Sequence, residues 1–316
     1  MMKRGDKGAF LQMSFTWIFA IIVGAVILFI SIYMAVKLLG VGEDVNSVET
    51  SKSILNSVES LESSVESGRS TFITISADTR IYEYCSDTGT FGKQRIDISQ
   101  KNFNKWSEKE KGVSSENRYL FFGSPTEGKK FFMFMKPIEL PFKIADVVYI
   151  TSANKKYCFI DAPDDIQYAL AQPFQENILV SDCEDIKGIT KVCFNSEDCD
   201  INVDYTNKYV EKNGESSKFL TDTLMYAAIF SDKTIYECQL NRLMKRAQMI
   251  AELYQQKIIF ARCGESMGAD LSALISFYSN FASSDELASL EDIANEAQSN
   301  NEDNSECKLW SSNYEN

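Results

Sequence analysis

Apolar and polar positions alternate with three different periods along this chain, and each period predicts a different element. Residues 15–36 are an unbroken apolar run without a charge. At ~1.5 Å per residue its length as a helix is ~33 Å, enough to cross the hydrocarbon core of a bilayer. Residues 43–66 switch to a helical stripe: Val45, Val48, Leu55, Val58, Leu61 and Val65 recur at spacings of three, four and seven among Ser and Glu. Gly40-Val41-Gly42 separates the two segments and predicts an end or hinge, and Gly68 closes the second.

From about residue 71 the period falls to two. Ile73-x-Ile75, Tyr82-x-Tyr84 and Ile96-x-Ile98 read as half-buried strands. Tyr119-Leu-Phe-Phe122 and Phe131-Phe-Met-Phe-Met135 flank a six-residue loop and read as a hairpin, while Pro137 and Pro141 mark edges or bends. Strands at Val147–Ile150 and Tyr157–Ile160 follow, and Asp161 ahead of Pro163 reads as the N-cap of a short helix. A second group of strands covers 177–219, with Asn213-Gly214 as a hairpin turn. Beyond Phe219 the chain turns helical: 220–230, then 232–262 with Ile235, Cys238, Leu243, Ala247 and Ile250 on one face, then 271–281 and 287–297, the last opened by the capping-box spelling Ser283-Ser-Asp-Glu286.

The pattern therefore predicts an α+β chain in six parts. These are a basic leader (1–14), a transmembrane helix (15–39), a juxtamembrane amphipathic helix (43–68), an antiparallel β-rich exported domain (70–219), a C-terminal helical subdomain (220–299) and a loose acidic tail (300–316). The stripe in 43–68 has two readings: packing on its own domain, or pairing with a second copy as a short coiled coil.

Charge orients the span. Lys3, Arg4 and Lys7 precede it, whereas Glu43 and Asp44 follow, so the N-terminus is expected in the cytoplasm and the C-terminal domain outside. The length of the run and the absence of an Ala-x-Ala site after it speak for an anchor rather than a cleaved signal. The net charge is −13, and setting aside the +3 of residues 1–42 leaves −16 on the exported part. A surface that acidic repels phosphate backbones, which argues against nucleic acid as a partner.

Cysteine usage agrees with export. Cys85, Cys158, Cys183, Cys193, Cys199, Cys238, Cys263 and Cys307 all lie beyond the span. An even count there, without a C-x-x-C pair or any His, favours disulfides over zinc. The expected pairs are Cys193 with Cys199 and Cys263 with Cys307. Cys238 cannot reach Cys263 if one helix of ~37 Å joins them.

Chemical motifs are few. Gly264-Glu-Ser266-Met-Gly268 spells a nucleophile elbow, but a helix precedes it and the chain lacks the His of a triad. Ser152-x-x-Lys155 lacks the companion motifs of a Ser/Lys enzyme. Asp198, Asp200, Asn202 and Asp204 alternate like calcium ligands, yet Val203 and Tyr209 replace the Gly and Glu of an EF-hand loop. They remain the candidate metal residues, with the solvated face of a strand as the alternative. No cofactor is expected.

Lys7-Gly8-Ala9 ahead of a long apolar helix resembles a type IV pilin-like leader, whose processing would cut after Gly8; Met13 stands where such leaders carry Glu. The larger arrangement, including Gln12-Met-Ser-Phe-Thr-Trp-Ile-Phe19 and Leu224-Met-Tyr-Ala-Ala-Ile-Phe-Ser231, resembles uncharacterised archaeal single-pass membrane proteins with a cysteine-containing exported domain. The resemblance implies a location and no activity. The functional expectation is a non-enzymatic envelope protein that binds or scaffolds other components: it meets the bilayer through residues 15–39, has protein partners in the membrane or envelope, and would self-associate through 43–68. An extracytoplasmic hydrolase using two carboxylates and a ligand-binding sensor are the alternatives.

Overall fold

The computed structural model describes residues 15–63, 70–102, 104–172, 175–180, 183, 188–196, 199–261, 265–304 and 307–311. The chain divides into two compact units, Met1–Asn46 and Ser47–Asn316. Helix α1 (Phe15–Ser63) is helical across Gly40-Val41-Gly42, where a break was expected; helical hydrogen bonding outweighs a glycine cost of about 1 kcal/mol per residue. Within the first unit, Trp17–Ala35 is exposed on every face, with Phe29 at 74%. It is the one helical stretch among the described residues with the length and composition to cross a membrane, properties that a signal sequence shares.

The second unit holds two sheets. The first combines β1 (Ser70–Ser86), β2 (Lys93–Asn102), β3 (Lys105–Trp106), β4 (Ser114–Ser115), β5 (Tyr119–Phe121), β6 (Thr126–Glu139) and β7 (Lys143–Ser152) in the order β3-β2-β1-β6-β7-β5, with β4 on β2. The second contains β8 (Tyr157–Ile160), β9 (Ile178–Val180), β10 (Thr190–Phe194), β11 (Ile201–Asp204), β12 (Tyr209–Lys212) and β13 (Glu215–Lys218) in the order β13-β12-β11-β10-β8-β9.

Both sheets are mixed, which corrects the antiparallel expectation. β8 runs parallel to β9 and β10, and β10 parallel to β11. Helix α2 (Asp164–Ala171) carries the chain from β8 to β9, the crossover that parallel neighbours need. The expected hairpin of 119–122 with 131–135 does not form either. β6 pairs with β1 and β7, and β5 lies parallel to the far side of β7. Tyr119–Phe122 is buried on both faces, so its pattern held no information about which strand it would join.

The first sheet curls until its ends meet, because β4, which pairs with β2, is followed after three residues by β5, which pairs with β7. Its inner face is a core of Ile81, Ile96, Leu120, Phe131, Met133 and Ile150, and α1 fills it with Ile54, Leu55, Val58 and Leu61. That stretch of the amphipathic stripe is thus taken up inside the chain. The outer face contributes Phe121, Phe134, Val147 and Tyr149 to a larger core shared with the second sheet and with α3 (Asp222–Phe230), α4 (Lys233–Ala261), α5 (Glu265–Asn280) and α6 (Leu287–Asp303). β6 and β7 feed both cores by alternation; the inner core is mainly aliphatic and the larger one rich in aromatic rings. Pro137 lies within β6 opposite Asp146 of β7, and its carbonyl accepts from the Thr223 hydroxyl at 2.9 Å.

Two smaller expectations change and a third is met. Asp161 is not the cap of α2: it has a positive φ of 53°, and Pro163 occupies the N-cap position. Part of the segment expected to be loose is packed: α6 continues to Asp303, Leu309 and Trp310 are buried, and Asn301 accepts from the Leu309 amide and donates to the Trp310 carbonyl. The type I′ turn at Asn213-Gly214, both with positive φ, joins β12 to β13.

Candidate functional site

The residues with the most perturbed environment lie where the curled sheet closes, at the seam between β1/β2 and β5. The inward face of β1 there is not the one the tyrosines suggested. Ile81 and Glu83 point inward, at 0% and 4% exposure, and Tyr82 and Tyr84 point outward. A one-residue change of phase puts a carboxyl in the core.

Backbone pairing does not close the seam; side-chain amides do. The Gln94 carboxamide donates to the Leu120 carbonyl at 3.1 Å and accepts from the Leu120 amide at 3.0 Å, which satisfies the free edge of β5 as a neighbouring strand would. Gln239 on α4 also donates to the Leu120 carbonyl, at 3.2 Å. Glu83 Oε1 accepts from the side-chain amides of both Gln94 and Gln239. Its other oxygen, Oε2, is buried without a hydrogen-bond partner. Burial pushes the Glu83 carboxyl well above the usual carboxylate range, and Gln239, the nearby Phe122 amide and Arg242 only partly oppose this.

Arg242, one turn further along α4, is the largest fully buried side chain. It donates to the carbonyls of Phe91 (3.1 Å), Arg118 (3.1 Å) and Glu116 (2.8 Å) and to Gln239 Oε1 (2.6 Å). Two of those carbonyls belong to the 116–118 bend between β4 and β5, where ladder bonding lapses. The guanidinium also stacks 4.9 Å from the Tyr119 ring centroid. Desolvation lowers its pKa, with Tyr119, Glu83 and Glu116 acting against that. No carboxylate bonds it directly; Gln239 stands between Arg242 and Glu83. The Cys85–Cys238 disulfide, with Cα atoms 6.1 Å apart, ties β1 to α4 beside these groups. The cluster thus places a buried carboxyl and a buried guanidinium, bridged by Gln239, inside a packed joint.

A second group gathers at the two ends of α3. Thr221 caps its start, and Asp222 in the first turn accepts from the Tyr205 hydroxyl at 3.0 Å while burial raises its pKa. At the other end Lys212 donates to the carbonyls of Ile229 and Ser231, and burial pushes its ammonium down to about 8. A cation there answers the negative pole of the helix. A small recess lined by Lys212, Glu215, Ser217 and Asp232 opens beside it.

The residues singled out from sequence do not converge. Asp200 accepts from the Lys191 amide of β10, whereas Asn202 accepts from the Cys199 amide and Asp204 from the Asn207 amide and side chain, the last two closing local turns. Asp198 lies outside the described residues, and no group of three metal-binding side chains occurs among the described ones. Ser152 donates to the Glu127 carbonyl. Gly264 is outside the described residues, and Met267 and Gly268 lie within α5, with α4 rather than a strand before them. Cys193 meets Cys199, the short-loop pair of the sequence reading, and Cys158 meets Cys183. Cys307 is disulfide-bonded, while Cys263 lies outside the described residues, as does Gly8.

Sequence reasoning missed Glu83, Gln94, Gln239 and Arg242. One signal was present: Gln239 and Arg242 interrupt the arc of α4 formed by Tyr236, Leu240 and Leu243, and polar residues within an apolar arc need buried partners. No protein-family model, curated protein or solved structure matches this chain.

Proposed function

We propose that the chain is a single-pass membrane protein whose disulfide-bonded body works outside the cytoplasm as a non-enzymatic binding or scaffolding component of the cell envelope. One observation carries this reading. The helix that bears the fully exposed apolar stretch Trp17–Ala35 also supplies Ile54, Leu55, Val58 and Leu61 to the core of the body. The apolar stretch and the buried face thus belong to one helix, α1. The cysteines support the compartment, since the described pairs Cys85–Cys238, Cys158–Cys183 and Cys193–Cys199 all fall after the span and persist in oxidising surroundings. Basic residues before the span and acidic ones after it support an N-terminus in the cytoplasm. The archaeal and pilin-like resemblance belongs to the same proposal, in a form where the leader is cut after Gly8 and the span packs in an assembly.

Cross-linking of the full chain in intact membranes with a membrane-impermeant lysine reagent tests the reading. The expected result is a discrete set of adducts larger than the 35.7 kDa chain. A chain that stays monomeric at every reagent concentration contradicts the scaffolding role. Intact-mass analysis separates the two forms: loss of the first eight residues supports the pilin-like one, and a retained N-terminus removes it.

A further inference from the structure

The seam holds an ionisable group that the proposed function does not use, in a setting that responds to its proton. Glu83 receives both of its side-chain donors on Oε1, while Oε2 makes no hydrogen bond of ordinary geometry, the nearby Phe122 amide favouring the charged form only in part. The groups around it come from every packed element. β2 presents Gln94, β5 and the residue after it present the backbone of Leu120 and Phe122, and α4 presents Gln239 and Arg242; Asp232, just before α4, adds a like charge. The cation acting on Glu83 among the described residues, Arg242, has its donors directed at three carbonyls and Gln239, so it turns toward an ionised Glu83 only by giving up the bend at 116–118.

We propose that Glu83 is a proton-operated latch on the seam. With the proton on Oε2 the carboxyl is neutral, and Oε1 gathers Gln94 and Gln239, which in turn hold Leu120. Loss of that proton to solvent leaves a carboxylate with an unpaired oxygen in a buried joint, a state relieved by admitting water. Water entry separates the Gln94 and Gln239 amides from Glu83 and releases the edge of β5 at Leu120. The Cys85–Cys238 bridge keeps β1 and α4 together while this happens, so the seam opens on a covalent hinge and the body does not unfold. The device is independent of the scaffolding role.

The sign follows from linkage. The closed seam holds a proton that the open seam releases, so closure is complete below the ordinary carboxylate pKa and weakens as pH rises toward the raised closed-state value. In that window the opening equilibrium increases by up to about tenfold per pH unit. Hydrogen exchange on the full oxidised chain in micelles, corrected for the intrinsic pH dependence of exchange, reads this at Leu120 and Phe122. The wild type should lose protection there as pH rises, and Glu83→Gln, which keeps the Oε1 acceptor without the titration, should hold it constant. Equal profiles in the two proteins overturn the proposal. Infrared spectroscopy of the wild type with isotope-labelled Glu keeps it testable if the variant does not fold. A protonated carboxyl band that persists at neutral pH supports the latch, and complete ionisation of all Glu in the ordinary range refutes it.

Discussion

Replacing Arg242 with Met tests how the curled sheet is closed. The side chain is fully buried and makes four charge-assisted hydrogen bonds, three to backbone carbonyls of Phe91, Glu116 and Arg118 and one to Gln239. Each such bond contributes about 1.5–3 kcal/mol, but they share one group and do not add. Two terms reduce the loss. Glu116 is exposed, so water can reach its carbonyl, and Met restores much of the aliphatic packing without the desolvation cost of a guanidinium. The Arg118 carbonyl and the Gln239 oxygen are the acceptors left most exposed to loss, at about 1–3 kcal/mol each. The expected net destabilisation is about 3 kcal/mol. For a body of this size that lowers the melting temperature by about 6 °C, at about 2 °C per kcal/mol. Arg242→Lys should fall between the two, since an ammonium cannot span the same fork of acceptors. Scanning fluorimetry of the oxidised full chain in one detergent reads all three proteins. A Met variant as stable as the wild type would show that the bend at 116–118 needs no internal donor, and would refute the account of the seam.

Two further predictions follow from other parts of the body. Ile54→Ala, at a fully buried position in the α1 segment that fills the curled sheet, should cost about 2–5 kcal/mol in chemical denaturation; a cost below about 0.5 kcal/mol would mean that this segment is not part of the core. Lys212, whose pKa is depressed to about 8 by burial, binds its proton less tightly in the folded chain than in the unfolded one at 10.5. Its contribution is therefore present above 10.5 and lost as pH falls through about 8, so stability should rise with pH across that window and the rise should shrink in Lys212→Met; parallel pH curves would contradict the assignment.

Much of the architecture was legible because single periods dominate long stretches. The apolar run announced α1, the stripe of Leu55, Val58 and Leu61 announced its buried face, and Asn213-Gly214 announced the β12–β13 turn. Failures came where local pattern is silent about partners. Tyr119–Phe122 is apolar on both faces and could have joined any strand; it joined β7. Tyr82-Glu83-Tyr84 offers two aromatics and one acid, and the aromatics look like the buried set. Yet Ile81 fixes the phase from the preceding turn of the pleat and sends Glu83 inside. Cys85 and Cys238 are 153 residues apart, a separation at which spacing holds no information. The tail shows the limit of composition. Asn, Glu and Ser around it suggested a loose end, but Leu309 and Trp310 are large enough to be held, Trp310 against Phe142 and Tyr254.

The central claim is that one helix spans the membrane and delivers an oxidised body to the far side. Protease treatment of intact cells expressing the chain, followed by thiol alkylation without reductant, tests it most directly. The account predicts digestion of the body from outside, survival of a small N-terminal fragment, and no alkylated cysteine before reduction. A body protected until the cells are lysed, with cysteines that alkylate freely, would contradict both the orientation and the disulfide-bonded fold.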